Sequence, residues 1–432
     1  MHPKALLDAA AELVGRALRF DHPADAVVSR YFREQRALGP RERATLAETA
    51  YAVLRRKPLY EHLARSGSGA RERRLAILGF HGARDFLKQA LSEPEKAWLD
   101  ACDAIDAATL APEYRHNLPA WLVAPLRAQL GDEFDALAEA LLTPAPLDLR
   151  VNTLKDKRAQ ARAELAQVAI KAVETPYSPW GLRVDGKPPL QKLPLFTRGA
   201  VEVQDEGSQL LALLLDARRG EMVADFCAGA GGKTLAIGAA MRGTGRLYAF
   251  DVSAHRLAKL APRLARSGLS NVHPVAIAHE RDERIKRLAG KLDRVLVDAP
   301  CSGLGTLRRN PDLKWRQSPE GIQELVAKQR AILASAARLV KPGGRLVYAT
   351  CSLLAAENEE VAAAFGAAQP EFQPLNAAEL LHALKVPDAA GLCAPAADAA
   401  PAGGVEPGRH LRLWPHRHAT DGFFAAVWQR AG

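Results

Sequence analysis

From Gln204 onward, short apolar runs alternate with longer amphipathic ones, and this rhythm limits the fold more than any other feature of the chain. Residues 222–227 (Met-Val-Ala-Asp-Phe-Cys) read as a buried strand that runs into a glycine-rich turn and a helix. Residues 246–251 form the next strand, with a helix after it to about Arg266. Residues 272–277 are a third strand and 294–298 a fourth. A helix spans about 319–340, and 345–350 is a fifth strand. Strands separated by helix-length crossovers pair in parallel, and such a sheet needs helices on both faces. Residues 411–414 and 423–428 read as further strands that close the sheet edge, and the Ala/Pro/Gly-rich stretch 386–408 as a flexible loop.

The remainder divides into two further regions, as expected for 432 residues at roughly 150 per domain. Residues 1–117 read as helical. Leu6, Ala9, Ala10, Leu13, Val14 and Ala17 recur at helical spacing, and a second helix starts at Pro40 and carries Leu46, Ala50, Val53 and Leu54. Arg30, Arg33, Arg36, Arg41, Arg43, Arg55, Arg56 and Lys57 decorate this region as a solvated or RNA-facing surface. Residues 118–200 are mixed. A helix is predicted over 121–130, a strand over 147–153, a helix over 157–168 and a short strand near 182–184. Prolines 176, 179, 188, 189 and 194 keep the rest as loops. Residues 201–432 form the third region.

Hydrophobic residues make up 48% and charged residues 25%, enough to bury a real core. Lys and Arg number 59 against 49 Asp and Glu, and the net charge of +10 favours a polyanionic partner. None of the five cysteines (Cys102, Cys227, Cys301, Cys351, Cys393) pairs at C-x-x-C spacing. That argues against structural zinc, and an odd, sparse set argues against a disulfide framework. No metal site is expected. The first residues open no basic-then-apolar leader, and no apolar run approaches the ~20 residues that span a bilayer. A soluble, cytoplasmic monomer is the expectation.

The turn Asp225-Phe-Cys-Ala-Gly-Ala-Gly-Gly-Lys-Thr234 leaves one strand and opens a helix. Its glycines let backbone approach a ligand, and the helix start offers N–H groups to a carboxylate. A phosphate-binding loop would need glycine five residues before Gly232; Cys227 stands there. A dinucleotide fingerprint from Gly229 would need glycine at 234, which is Thr. Asp251, at the end of the second strand, can accept both ribose hydroxyls of a nucleoside, so NAD and S-adenosylmethionine both suit that contact. Asp225 is either a ligand contact or a cap of the turn.

Two cysteines leave neighbouring strand ends: Asp298-Ala-Pro-Cys301-Ser-Gly303 after the fourth strand, Thr350-Cys351-Ser352 after the fifth. Ligands of open α/β sheets sit outside the carboxyl ends of the strands, and adjacent ends lie ~5 Å apart. If these strands are neighbours, both thiols face one crevice beside the cofactor. Pro300 forces a turn that lifts Cys301 out of the sheet. Paired thiols suit methylation at C5 of cytosine, which is a poor nucleophile. A thiolate added at C6 makes C5 enamine-like, and a second group then takes the C5 proton and helps expel the first. Asp298 would hydrogen-bond N3 and the exocyclic amine of the base.

At these residues the chain resembles the RsmB/Sun (Fmu) family of RNA 5-methylcytosine methyltransferases. The resemblance covers nearly everything after Leu118. It includes Leu149-Arg-Val-Asn-Thr-Leu154, Val203-Gln-Asp-Glu-Gly-Ser-Gln209, the glycine turn, the Pro-Cys and Thr-Cys pairs, Arg308-Arg-Asn-Pro-Asp-Leu-Lys-Trp315, Glu357-Asn358 and Asp421-Gly-Phe-Phe424. It implies a Rossmann-like class I methyltransferase sheet, an α/β RNA-binding subdomain over 118–200, and a reduced NusB-like RNA-binding region over 1–117. It also implies Cys351 as nucleophile, Cys301 as the residue that assists release, and Asp298 and Lys233 beside them. The S-adenosylmethionine site would comprise Cys227, Ala228, Gly229, Ala230, Gly231, Gly232 and Lys233 with Asp251, Arg256 and Asp298. Residues 308–315 would line the RNA path. The turn departs from the usual Cys-Ala-Ala-Pro-Gly-Gly-Lys, and Ala276-Ile-Ala-His-Glu280 lacks the aspartate that usually touches adenine.

The resulting expectation is C5 methylation of a cytosine in RNA, and specifically in rRNA. Two rivals remain at this point. A non-catalytic RNA-binding assembly factor on the same scaffold would not bind the methyl donor. A nucleotide-cofactor oxidoreductase would bind NAD but leaves both cysteines without work.

Overall fold

The computed structural model describes residues 1–395 and 408–432. The chain forms two compact units. One comprises residues 1–128, 132–144 and 306–318; the other comprises 129–131, 145–305 and 319–432.

The first unit is helical. Pro3–Ala17 buries Leu6, Leu7, Ala10, Leu13, Val14 and Ala17, one face at 3.6-residue spacing. This face packs with Leu46, Ala50 and Val53 of the helix Pro40–Arg55, and with Leu75, Ala76 and Ile77 of Arg71–Leu78. Each large aliphatic side chain so removed from water contributes about 1.5–3 kcal/mol. The surface expectation is corrected at Arg55, which is buried and donates to the Arg308 carbonyl at 3.1 Å. Arg30, Arg33, Arg36 and Arg41 are exposed.

Residues 306–318 pack into this unit rather than lying open. Trp315 Nε1 donates to the Leu54 carbonyl at 2.7 Å, and Asp312 accepts from the Ala24 N–H. Lys314 is buried, and its Nζ reaches the carbonyls of Arg55 and Asn117 at 2.8 and 2.6 Å. Two acceptors match the two hydrogens of a neutral amine. Burial, then the charges of Arg55 and Arg56, push the Lys314 pKa well down. The folded chain therefore binds fewer protons than the unfolded one, whose lysines titrate near 10.4. Stability of this unit is expected to rise as pH climbs from the depressed folded value toward about 10.4. Lys314→Met should flatten that rise and, by orphaning two carbonyls, cost about 1–3 kcal/mol. Urea unfolding at neutral and alkaline pH measures both effects.

The second unit carries two sheets. The smaller has strands β1 (Leu147–Val151), β2 (Ala172–Glu174), β3 (Gly181–Val184) and β4 (Val201–Val203), all antiparallel in the order β2-β3-β1-β4. The larger contains β5 (Met222–Asp225), β6 (Arg246–Asp251), β7 (Val272–Ala276), β8 (Leu292–Asp298), β9 (Val340–Thr350), β10 (Phe372–Leu375), β11 (Leu411–Leu413) and β12 (Phe423–Arg430). Its order is β10-β12-β9-β8-β5-β6-β7, with β11 also paired to β12. From β9 to β7 every pair is parallel, while β12 runs antiparallel to both neighbours.

Alternate residues feed two cores, one on each face. Val223, Leu296, Val347, Ala349 and Ala425 join one; Ala224, Val295, Val297, Tyr348 and Phe424 join the other. β12 is not the sheet edge. It lies between β9 and β10, and the unbroken burial of its residues 423–428 reflects cover on both faces. The loop expectation over 386–408 holds for no more than part of that stretch. Val386, Ala389, Leu392 and Cys393 are packed into the core, and 396–407 lie outside the described residues. From β5 the chain winds outward through β6 and β7, then returns to the other side of β5 through β8 and β9. The strand order reverses between β5 and β8, which opens a crevice at their carboxyl ends.

Candidate active site

Four strand ends meet that crevice. β5 ends at Asp225, β6 at Asp251 and β8 at Asp298, and Cys351 follows the end of β9. β8 and β9 are parallel neighbours with Asp298 opposite Ala349, and the Ala299 N–H extends the ladder to the Ala349 carbonyl. Cys301 and Cys351 are both half-buried, with their sulfurs 3.4 Å apart. The Cys351 N–H also donates to the Cys301 sulfur at 3.4 Å. The hydrogen bond with Cys351 raises the Cys301 pKa; burial and the charges of Cys351 and Glu357 add to it. Two sulfurs in contact cannot both ionise cheaply.

Lys233 Nζ lies 2.7 Å from Asp298 Oδ2 and 5.8 Å from the centre of the Phe423 ring. Burial opposes its charge, but the charge of Asp298 and the hydrogen bond to it outweigh that, and the Lys233 pKa is raised. Asp225 sits beneath the turn. Its Oδ2 accepts from the Thr234 hydroxyl at 2.6 Å and its Oδ1 has no hydrogen-bond partner, so burial lifts its pKa to about 7. In the structure it braces the turn through the Thr234 hydroxyl. Cys227 lies in the same turn, and burial raises its thiol pKa as well.

The turn itself is built on two glycines with positive φ, Gly229 at +57° and Gly231 at +83°. A Cβ on Gly231 would lie 2.2 Å from Leu260, so that position admits no side chain. Ala228 closes the turn by donating to the Phe250 carbonyl, and the Gly231 N–H returns to the Ala228 carbonyl. Gly232 starts the helix Gly232–Ala240, whose first turn has no side-chain cap. Arg263, which the sequence reading did not single out, donates to the Ala230 carbonyl at 2.6 Å while paired with Glu202. Asp251 accepts the Gly229 and Ser253 N–H groups, each at 2.7 Å. Arg256 lies beside it, 3.8 Å away and more than half exposed.

After β7, the stretch without the usual aspartate is followed by Asp282, whose Oδ2 accepts the Ala278 N–H at 2.9 Å. Glu357 is a second unassigned residue: a fully buried carboxylate under both cysteine loops. In the sequence it stood out only as part of Glu357-Asn358 in the family resemblance. Among the described residues, no group of three or more His, Cys, Asp or Glu is placed to hold a metal ion, and no helix is long and apolar enough to cross a membrane.

The chain has relatives among known proteins. Residues 212–429 match the model for the 16S rRNA methyltransferase RsmB/F, and 118–191 match the ferredoxin-like domain of RsmF/B-like methyltransferases. A probable ribosomal RNA small subunit methyltransferase B from Synechocystis is 36% identical over 65% of this chain and 63% of its own length. The protein of that name from Bacillus subtilis is 32% identical over 82% of this chain and 76% of its own. The match thus spans less than two thirds of the Synechocystis relative. A methyltransferase homolog from Pyrococcus horikoshii superposes with a TM-score of 0.60 at 27% identity, covering 74% of this chain and all of that one.

S-adenosylmethionine is the cofactor, and the turn fits it. Asp251 spends two of about four acceptor positions on backbone N–H groups, which leaves two for ribose hydroxyls. The uncapped helix start beyond Gly231 offers donors for a carboxylate. By its matched domains and its relatives, the chain belongs to the RsmB/F family of 16S rRNA methyltransferases.

Proposed function

We propose that the chain transfers a methyl group to C5 of a cytosine in small-subunit rRNA, with Cys351 as nucleophile, Cys301 as proton carrier, and Asp298 and Lys233 as the groups that hold the base. The observation that carries this reading is the pair of sulfurs 3.4 Å apart beside the Lys233–Asp298 pair. Cys227 to Lys233, Asp251, Arg256 and Asp298 would hold S-adenosylmethionine, which when bound supplies an electrophilic methyl group on a sulfonium.

The Cys351 thiolate adds to C6, and C5 gains the electron density it needs to take the methyl group. Asp298, fixed by Lys233, accepts from the exocyclic amine and steadies N3. Bonding of Cys351 to carbon removes its hydrogen bond with Cys301 and its charge, both of which favour the Cys301 thiol, and Cys301 gives its proton to water. The Cys301 thiolate then takes the C5 proton, the C6–S bond breaks, and its electron pair returns to Cys351. A cytosine inside a stacked duplex does not expose C6, so the target is flipped out or drawn from a loop. The helical region 1–117, with exposed Arg30, Arg33, Arg36 and Arg41, and the α/β subdomain 118–200 would grip the surrounding RNA.

The test is to incubate the full chain with tritiated S-adenosylmethionine and small-subunit rRNA, then to analyse the digested nucleosides. Label in 5-methylcytidine is the expected result. Label confined to another nucleoside would overturn the reading, and no label together with no donor binding would favour an assembly factor.

A further inference from the structure

Behind the two cysteines lies a carboxylate that the mechanism above does not use. Glu357 is fully buried and receives four hydrogen bonds, two on each oxygen. Oε1 accepts from the Ser302 N–H at 2.8 Å and from Gln329 Nε2 at 2.9 Å. Oε2 accepts from the Ser302 hydroxyl at 2.5 Å and from the Ser352 hydroxyl. Ser302 and Ser352 are the residues immediately after Cys301 and Cys351, and their hydroxyls lie 3.2 Å apart. One side chain therefore anchors both loops at the positions adjoining the sulfurs. Its own backbone is held too, because Tyr348 donates to the Glu357 carbonyl at 2.6 Å. The neighbouring Asn358 side chain donates to the Ser352 carbonyl at 3.0 Å.

We propose that Glu357 is a positioning residue for both cysteines, tying the Pro-Cys and Thr-Cys loops to a single buried anchor that sets the approach of the sulfurs and the field around Cys301. The inference rests on the reading of Cys351 and Cys301 as nucleophile and proton carrier. A buried carboxylate without a counter-ion is costly, and a core-filling role would be served better by an apolar side chain. The four donors to Glu357 are all neutral, so its charge is not cancelled and acts on its surroundings. It adds to the raised pKa of Cys301.

The two halves of the role separate by substitution. In Glu357→Gln the amide nitrogen can take the Oε2 place, where the two serine hydroxyls turn and accept. The framework survives and the charge is lost. Glu357→Ala removes both. In a Cys351→Ala background, which frees Cys301 from its partner, the pH profile of Cys301 alkylation by iodoacetamide is read by mass spectrometry. Glu357→Gln is expected to move the midpoint down by about half a pH unit or more. In the otherwise unaltered chain, Glu357→Ala is expected to lower kcat about 100-fold, with KM for RNA and calorimetric S-adenosylmethionine affinity within about threefold. Should Glu357→Ala fail to bind the donor, Ser302→Ala and Ser352→Ala carry the test, each cutting one tie and lowering kcat about tenfold.

An unmoved alkylation midpoint together with kcat within about threefold of the parent would overturn the proposal, as would donor affinity lost in step with kcat in every variant. The alkylation arm uses neither RNA nor methyl transfer. A chain that methylated some other atom would therefore fail the nucleoside analysis above while still showing, or not showing, the Glu357 shift.

Discussion

Cys351→Ala is expected to remove methyl transfer, with kcat down by on the order of 10³-fold or more. The size follows from the chemistry. Without a bond at C6, C5 of cytosine has no enamine character, and no repositioning of the base supplies the missing electron pair. Alanine replaces a half-buried thiol at the end of β9, so the sheet should survive and calorimetric binding of S-adenosylmethionine should persist. The measurement is tritiated-methyl incorporation into rRNA beside that binding curve. Full activity in the variant would exclude Cys351 as the nucleophile, whatever the target base. The same variant should also fail to cross-link to RNA carrying 5-fluorocytidine, which traps a C6 adduct.

The second large effect belongs to Cys301→Ala, and it is of a different kind. Its steady-state rate should fall by about 10²–10³-fold, but the first half of the reaction should remain. The variant lacks the sulfur that takes the C5 proton, so the C6 bond to Cys351 cannot break. A covalent protein–RNA complex should accumulate, visible as a band of retarded mobility in a denaturing gel, and it should vanish in Cys301→Ala/Cys351→Ala. Release of methylated RNA at the parent rate, with no retained complex, would assign the proton to another group. The two cysteine variants thus give opposite readouts, no adduct against a stable adduct, although their sulfurs are only 3.4 Å apart.

The parts of the fold visible in the sequence are those whose pattern is local. β6, β8 and β9 carry continuous apolar runs because each is covered on both faces, and such runs are visible without knowledge of neighbours. The glycine turn was visible because only glycine serves at Gly231. β10 was not. It is four residues long and contains Pro374, tolerated because the strand lies on the edge. The insertion of β12 between β9 and β10 was equally hidden, since pairing direction leaves no mark on composition.

Charged residues misled in a consistent way. Arg55 read as part of a solvated or RNA-facing surface and Lys314 as part of an RNA path, yet both end on backbone carbonyls inside the helical unit. Glu357 was unreadable as an anchor because two of its three partners, Ser302 and Gln329, lie 55 and 28 residues away. Local periodicity reports which face is apolar. It does not report where a buried charge finds its hydrogen bonds.

The helical unit is discontinuous in the chain, since residues 306–318 complete it. During synthesis its last piece therefore leaves the ribosome only after β5 to β8 have already emerged. Lys314 and Trp315 fill positions among helices made some 250 residues earlier. The amino-terminal helices must wait, partly uncovered, through most of translation, exposed to chaperones or to premature association. A fragment cut after residue 144 would stay in that waiting state permanently, and expressing the helical unit alone would require grafting 306–318 back onto it.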